Sequence, residues 1–179
     1  YLTATGQSGA GMLAVLKRLA NDELLIANDV APYLQNHPLS RDRVTALEDM
    51  VTKSPYYAVP SSPPLPRRHD LVRAKLVAFT WPAPRVLRQF PLSDNSLPAR
   101  YARAIVAYRS QTLAEAQRQI DALIQSDPSD PYFLELKGQA LLDDGKPGAA
   151  VAPLRRAVAL APNAPLIKML LGQALVALE

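Results

Sequence analysis

The stretch PYFLELKGQALLDDGKPGAAVAPLRRAVALAPNAPLIKMLLGQALVALE, Pro131–Glu179, carries an internal period. The string Gly-Gln-Ala-Leu begins at Gly138 and again at Gly172, 34 residues later. With Pro131 as position 1, Gly138, Ala150, Ala157 and Pro162 fall at positions 8, 20, 27 and 32. Small residues at the first three suit two antiparallel helices whose backbones approach closely where they cross. The proline stops the second helix before the next unit begins. Extended backward, the same register puts Ala104, Ala116, Ile120 and Pro128 at positions 8, 20, 24 and 32 of an earlier copy starting near Leu97. The C-terminal half therefore reads as two helical pairs followed by one closing helix.

This spacing resembles the tetratricopeptide repeat (TPR). The fold class expected is all-α: a short helical N-terminal segment followed by a TPR-like α-solenoid. In such arrays positions 2, 5, 9, 12 and 13 of each first helix line the concave face. Here they give Tyr101, Ile105, Tyr108 and Arg109 in the first unit, then Tyr132, Glu135, Gln139, Leu142 and Asp143 in the second. Met169 and Gln173 follow in the closing helix. Tyrosine and arginine are enriched where proteins grip proteins, so a polypeptide client or partner is the ligand class the resemblance implies. The Lys/Asn/Arg clamp that some TPR proteins use for a terminal carboxylate has no counterpart, since positions 5 and 9 are Tyr101 and Ile105.

Composition agrees with helix-on-helix packing: 49% of the 179 residues are apolar but only 6% are aromatic, and Gly is scarce. No apolar run reaches 18 residues, so no segment reads as a membrane span. With no cysteine, disulfide and thiolate chemistry are excluded. Charge is uneven: residues 1–65, 66–118 and 119–179 carry local nets of −1, +7 and −2. The basic middle segment reads as a solvated helical surface, with an anionic partner as the alternative. It lacks aromatics interleaved in a nucleic-acid motif, and no nucleic-acid partner is expected.

Upstream, "SGAGMLAVLKRLA" (8–20) reads as a helix capped by Ser8, with Met12, Val15, Leu16 and Leu19 on one face. After "NDELLIANDVAPYL", Ser40 caps a helix whose buried stripe is Val44, Leu47 and Val51. Residues 54–68, with five prolines, read as an extended linker. From His69 a helix places Leu71, Val72, Leu76 and Phe79 along one face. Trp81, at a break between Thr80 and Pro82, reads as a packing residue for the first repeat. The domains expected are thus 1–53, helical; 54–68, linker; and 69–179, repeats.

The order "YL…TGQSGAGMLAVLKRLA", "YLQNHPLSRDRVTALE" and then TPR units resembles the C-terminal part of HExxH zinc metallopeptidases of the HtpX-like and BepA-like class. In these a His-Pro-x-x-x-x-Arg-type element follows the end of the catalytic domain, matched here by His37, Pro38 and Arg43. The resemblance implies that residues 1–53 close a metallopeptidase-like domain, and that His37 and Arg43 belong to a loop approaching the parent's active site. It also implies zinc in a full-length periplasmic parent. The chain itself has no His-Glu-x-x-His; its two histidines, His37 and His69, have no partner at helical spacing. A catalytic zinc needs about three protein ligands, so no catalytic or metal-ligating residue is expected here. The expected function is recruitment of a client to an upstream peptidase domain, the alternative being a stand-alone TPR adapter or scaffold.

Overall fold

The computed structural model describes residues 1–26, 40–60, 64–110 and 112–179. These form two compact units, Tyr1–Pro66 and Arg67–Glu179. Every regular element among them is helical.

The first unit pairs α1 (Ala10–Ile26) with α2 (Ser40–Thr52). Ser8 Oγ accepts from Ala10 N–H at 3.1 Å and donates to the Tyr57 carbonyl at 2.6 Å, capping α1 and tying its start to the chain beyond α2. The two helices close on Gly9, where an added Cβ would sit 3.1 Å from both Val51 methyls. The buried stripe of α1 is Leu13, Leu16 and Ala20. Of the face expected from sequence only Leu16 is buried; Met12, Val15 and Leu19 face solvent. Val44, Leu47 and Val51 are partly buried on α2, as expected. His37 and the segment around it lie outside the described residues. Arg43 is exposed on α2, and the two carboxylates one to two turns on are engaged elsewhere: Glu48 by Lys17 at 2.5 Å and Asp49 by Lys53 at 2.8 Å.

The second unit is entered through α3 (Pro64–Thr80) and α4 (Ala83–Gln89). Residues 64–68 are helical, not extended: Pro64 and Pro66 occupy the first turn, where no N–H would find an intrahelical acceptor. Two pairs follow, α5 (Leu97–Ser110) with α6 (Leu113–Ser126) and α7 (Pro131–Asp143) with α8 (Pro147–Leu160), then α9 (Pro165–Val176) alone. This is the arrangement that the 34-residue register requires. Local signals set each boundary. Thr112 caps α6 by accepting from Glu115 N–H. Asp130 caps α7 at Tyr132 N–H, 2.9 Å away, with Pro131 at the first helical position. Gly145, at φ 71°, supplies the left-handed residue that turns α7 into α8.

The small residues of the register lie at the helix crossings. Ala104, Ala116, Ala150 and Ala157 are buried. A Cβ at Gly138 would stand 2.5 Å from Leu154 Cδ2, whereas the equivalent position on α9, Gly172, has open space around it. One substitution at two equivalent sites should therefore act in opposite directions. Gly138→Ala is expected to destabilise by about 1–3 kcal/mol through overpacking. Gly172→Ala is expected to stabilise by about 0.5–1 kcal/mol through helix propensity. Urea unfolding of the two variants beside the wild type checks both signs.

Candidate functional site

The face that the register assigns to the concave side is closed over its first half by the chain itself. Helix α3 covers side chains of both α5 and α7. Its buried stripe, Leu71, Ala74 and Ala78, joins Tyr101, Ile105, Phe133 and Leu136 in one core. At the α7 end Arg67 pairs with Asp127, and Lys75 reaches Glu135 at 2.6 Å while lying 5.4 Å from the centre of the Tyr132 ring. At the α5 end Phe79 meets Tyr108 edge-on at 6.3 Å. There Arg109 donates to the carbonyls of Ala78 at 2.5 Å and Trp81 at 3.2 Å, satisfying the C-terminal carbonyls of α3.

The sequence-expected groove residues thus divide. Tyr101 and Ile105 are 1% and 0% exposed and belong to the core, so neither can grip a client. The Tyr101 ring packs edge-on against Phe133 at 5.0 Å. Its hydroxyl has no hydrogen-bond partner among the described residues, and burial pushes its pKa well up. Tyr108 is half-buried and bonds Asp143; desolvation, then that hydrogen bond, raises its pKa. Arg109 holds α3, and Glu135 is 8% exposed under Lys75. Tyr132, Met169 and Gln173 remain open, with Gln139 half-buried between them and Tyr108.

What stays accessible is the second half, floored by α7 and walled by α3 and α9. On α3, residues 68, 72, 75 and 79 are spaced to share the flank beside the buried stripe. Val72 and its neighbour Leu76 are 58% and 59% exposed. On α9, Leu166, Met169 and Val176 are 65%, 52% and 68% exposed. The lower end of this groove is an open cleft of about 700 Å³ lined by Arg68, Lys75, Tyr132, Glu135, Leu166 and the turn between α8 and α9. Sequence reasoning missed Leu166 and Val176, although they hold positions 2 and 12 of the third unit in the register that yielded Met169. It also missed the α3 wall, for which no repeat position gave a signal.

Seven of the ten cations in the basic middle segment are exposed, yet most of the ten also hold a partner within the fold. Arg100 donates to the Ala122 carbonyl at 2.9 Å, and Arg103 to those of Pro91 at 2.7 Å and Asp94 at 2.8 Å. Arg67, Lys75 and Arg118 are ion-paired, and the Arg85 guanidinium lies 3.7 Å over the Trp81 ring. Of the segment's ten cations, Arg68, Arg73 and Arg88 are left without such a partner among the described residues. Only Arg68 of these lines the cleft. The same described residues contain no cluster of three His, Cys, Asp or Glu side chains able to hold a metal ion, so zinc finds no ligand set in them.

The tetratricopeptide repeat family model matches residues 101–165, the span from α5 to the start of α9. No curated protein and no solved structure gives a significant match to the chain. The match and the helical pairs agree on a TPR-like solenoid, and TPR arrays generally bind protein partners.

Two electrostatic features of this face can be tested. Lys75→Met should leave the buried Glu135 carboxylate unpaired and cost about 1–3 kcal/mol. Adding Glu135→Leu should restore most of the loss, as read by thermal melting. The two carboxylates before α7 are shifted oppositely. The Arg67 hydrogen bond lowers the pKa of Asp127, whereas desolvation raises that of Asp130. For Asp130 the folded pKa exceeds the unfolded one, so its contribution is favourable below the unfolded pKa and is lost as pH rises through the folded pKa. Asp130→Asn, which keeps a capping acceptor, should match or exceed wild-type stability at pH 7, and any gain should fade on acidification. Asp130→Ala should instead lose about 1 kcal/mol with the cap.

Proposed function

We propose that this chain recruits a polypeptide through the open half of its concave face, and that it does so for a zinc-dependent metallopeptidase of the HtpX-like and BepA-like class acting in the periplasm. The observation that carries the first part is the row of apolar side chains on α9, Leu166, Met169 and Val176, all more than half exposed, with Leu166 lining the cleft beside Arg68 and Tyr132. Apolar side chains collected along one groove, with a tyrosine on its floor, are the surface that a protein partner desolvates. Tyr132 is the aromatic anchor, offering a ring that is already ordered by Lys75 above it.

The second part is supported by the sequence of elements alone: the Tyr-Leu, Gly and leucine-rich helix, the His37-Pro38…Arg43 element, then repeats. On this reading the peptidase domain lies upstream and carries the zinc and the catalytic groups. The repeat region holds the client beside it. The chain's own residues contribute binding and placement, not bond cleavage.

Two measurements test the two parts separately. With a photo-crosslinking amino acid at position 132 or 169, polypeptide adducts should form in cells. The same probe at Arg155, exposed on α8, should give none. Equal adduct yields from all three positions would remove the groove from the account. The genomic reading frame should encode a His-Glu-x-x-His and a later glutamate ligand ahead of Tyr1. A start codon close to Tyr1 would instead make the chain a stand-alone TPR adapter.

A further inference from the structure

The two halves of the concave face are related by the 34-residue register, and the first half already holds a helix. Groove one, between α5 and α7, seats α3. Groove two, between α7 and α9, is lined at one end by Arg68 and Lys75 of α3. What differs is the chemistry at equivalent points. Where α3 meets Glu135 with Lys75, the residue 34 further on is Met169. Where Lys75 also covers Tyr132, the equivalent is Leu166, and where Arg67 pairs with Asp127 the equivalent is Ala161. These three contacts have apolar counterparts in groove two, whereas Arg109, which holds the other end of α3 from α5, has Asp143 as its counterpart.

Resting on the polypeptide-recruiting reading above, we propose that groove two takes an amphipathic helix of a partner protein. Its stripe is apolar along the line that meets Leu166, Met169 and Val176, and an acidic side chain meets Arg68. The helix-in-groove mode uses anchors at i, i+4, i+7 and i+11 spacing, which is the spacing α3 uses for its own residues in groove one: 67, 71, 74 and 78. The charge requirement follows from the cleft. Lys75 is already neutralised by Glu135, while Arg68 beside it has no ion pair among the described residues. A helix with a basic stripe, such as α3 itself, would meet methionine and leucine where it needs carboxylates.

The test is a selection with the full chain, residues 1–179, as bait for a displayed library of random 17-residue peptides. Enriched peptides are expected to carry apolar residues at i, i+4, i+7 and i+11 with one Asp or Glu near the start. Their synthetic versions should gain helicity by circular dichroism on mixing. Met169→Glu should weaken them at least tenfold and Arg68→Glu several-fold, with unchanged thermal melts, since both side chains are exposed. Peptides of period two or proline-rich character that still depend on Met169 would overturn the helical occupant while leaving polypeptide recruitment standing. Enrichment that is absent, or indifferent to both Met169→Glu and Tyr132→Ala, would overturn both. A dimer in sedimentation, dispersed by Met169→Glu, would make a second copy of the chain the occupant and overturn the partner helix.

Discussion

The seat of α3 on α5 and α7 is the contact on which the rest of the second unit depends. Leu71, Ala74 and Ala78 cover Tyr101, Ile105 and Phe133, the largest apolar surface that the first helices offer. Without that cover Tyr101 would present a wet ring, its hydroxyl would find water, and the first half of the face would be an open groove. With it, the same residues become a core. The seat leaves the half flanked by α3's outer side and α9 as the accessible part of the register-assigned face among the described residues. Arg109 and Lys75 hold the two ends of α3 by different means, one through main-chain carbonyls and the other through a nearly buried carboxylate. The helix is therefore clamped in register as well as in place.

Charge follows the same logic. A local net of +7 over residues 66–118 reads along the chain as a solvated helical surface, with an anionic partner as the alternative. In the fold most of that charge closes the structure. Guanidinium groups reach carbonyls at helix ends and turns, which a planar fork of donors suits better than an ammonium. Asp94 shows the local consequence: hydrogen bonds from Ser96, with the Arg103 charge adding to them, hold its pKa below the usual range. Arginine here does the work that glycine or capping residues do elsewhere.

How much of this was legible in the sequence depends on which residues carried the signal. The repeat units were, because Gly138, Ala150, Ala157 and Pro162 mark crossings and ends, and those positions allow few alternatives. Helix faces were harder. On both α1 and α3 the expected stripes followed the large side chains, whereas the buried stripes are Leu13–Leu16–Ala20 and Leu71–Ala74–Ala78. Alanine contributes little to an apolar count, yet Ala74 and Ala78 have no exposed surface and Ala20 is buried. The proline-rich stretch misled for a related reason: proline at the first turn of a helix and proline in an extended linker look alike in composition. Tyr101 and Ile105 were placed on the right face, but nothing local in the sequence reveals that a helix some thirty residues upstream returns to cover them.

The asymmetry of α9 completes the argument for the open groove. Its two flanks are not equally apolar. The flank equivalent to the α8-facing side of α7 carries Lys168 where α7 has the buried Leu134, and Gly172 where α7 has Gly138 against Leu154. Lysine there keeps its charge in water and covers apolar surface with its stem. The groove flank shows the reverse substitutions: Leu166 for Tyr132, Met169 for Glu135, and Ala177 for Asp143. The groove flank of α9 has lost polar groups relative to α7, while Lys168 is the one polar residue gained on the other flank, where Leu171 replaces Lys137.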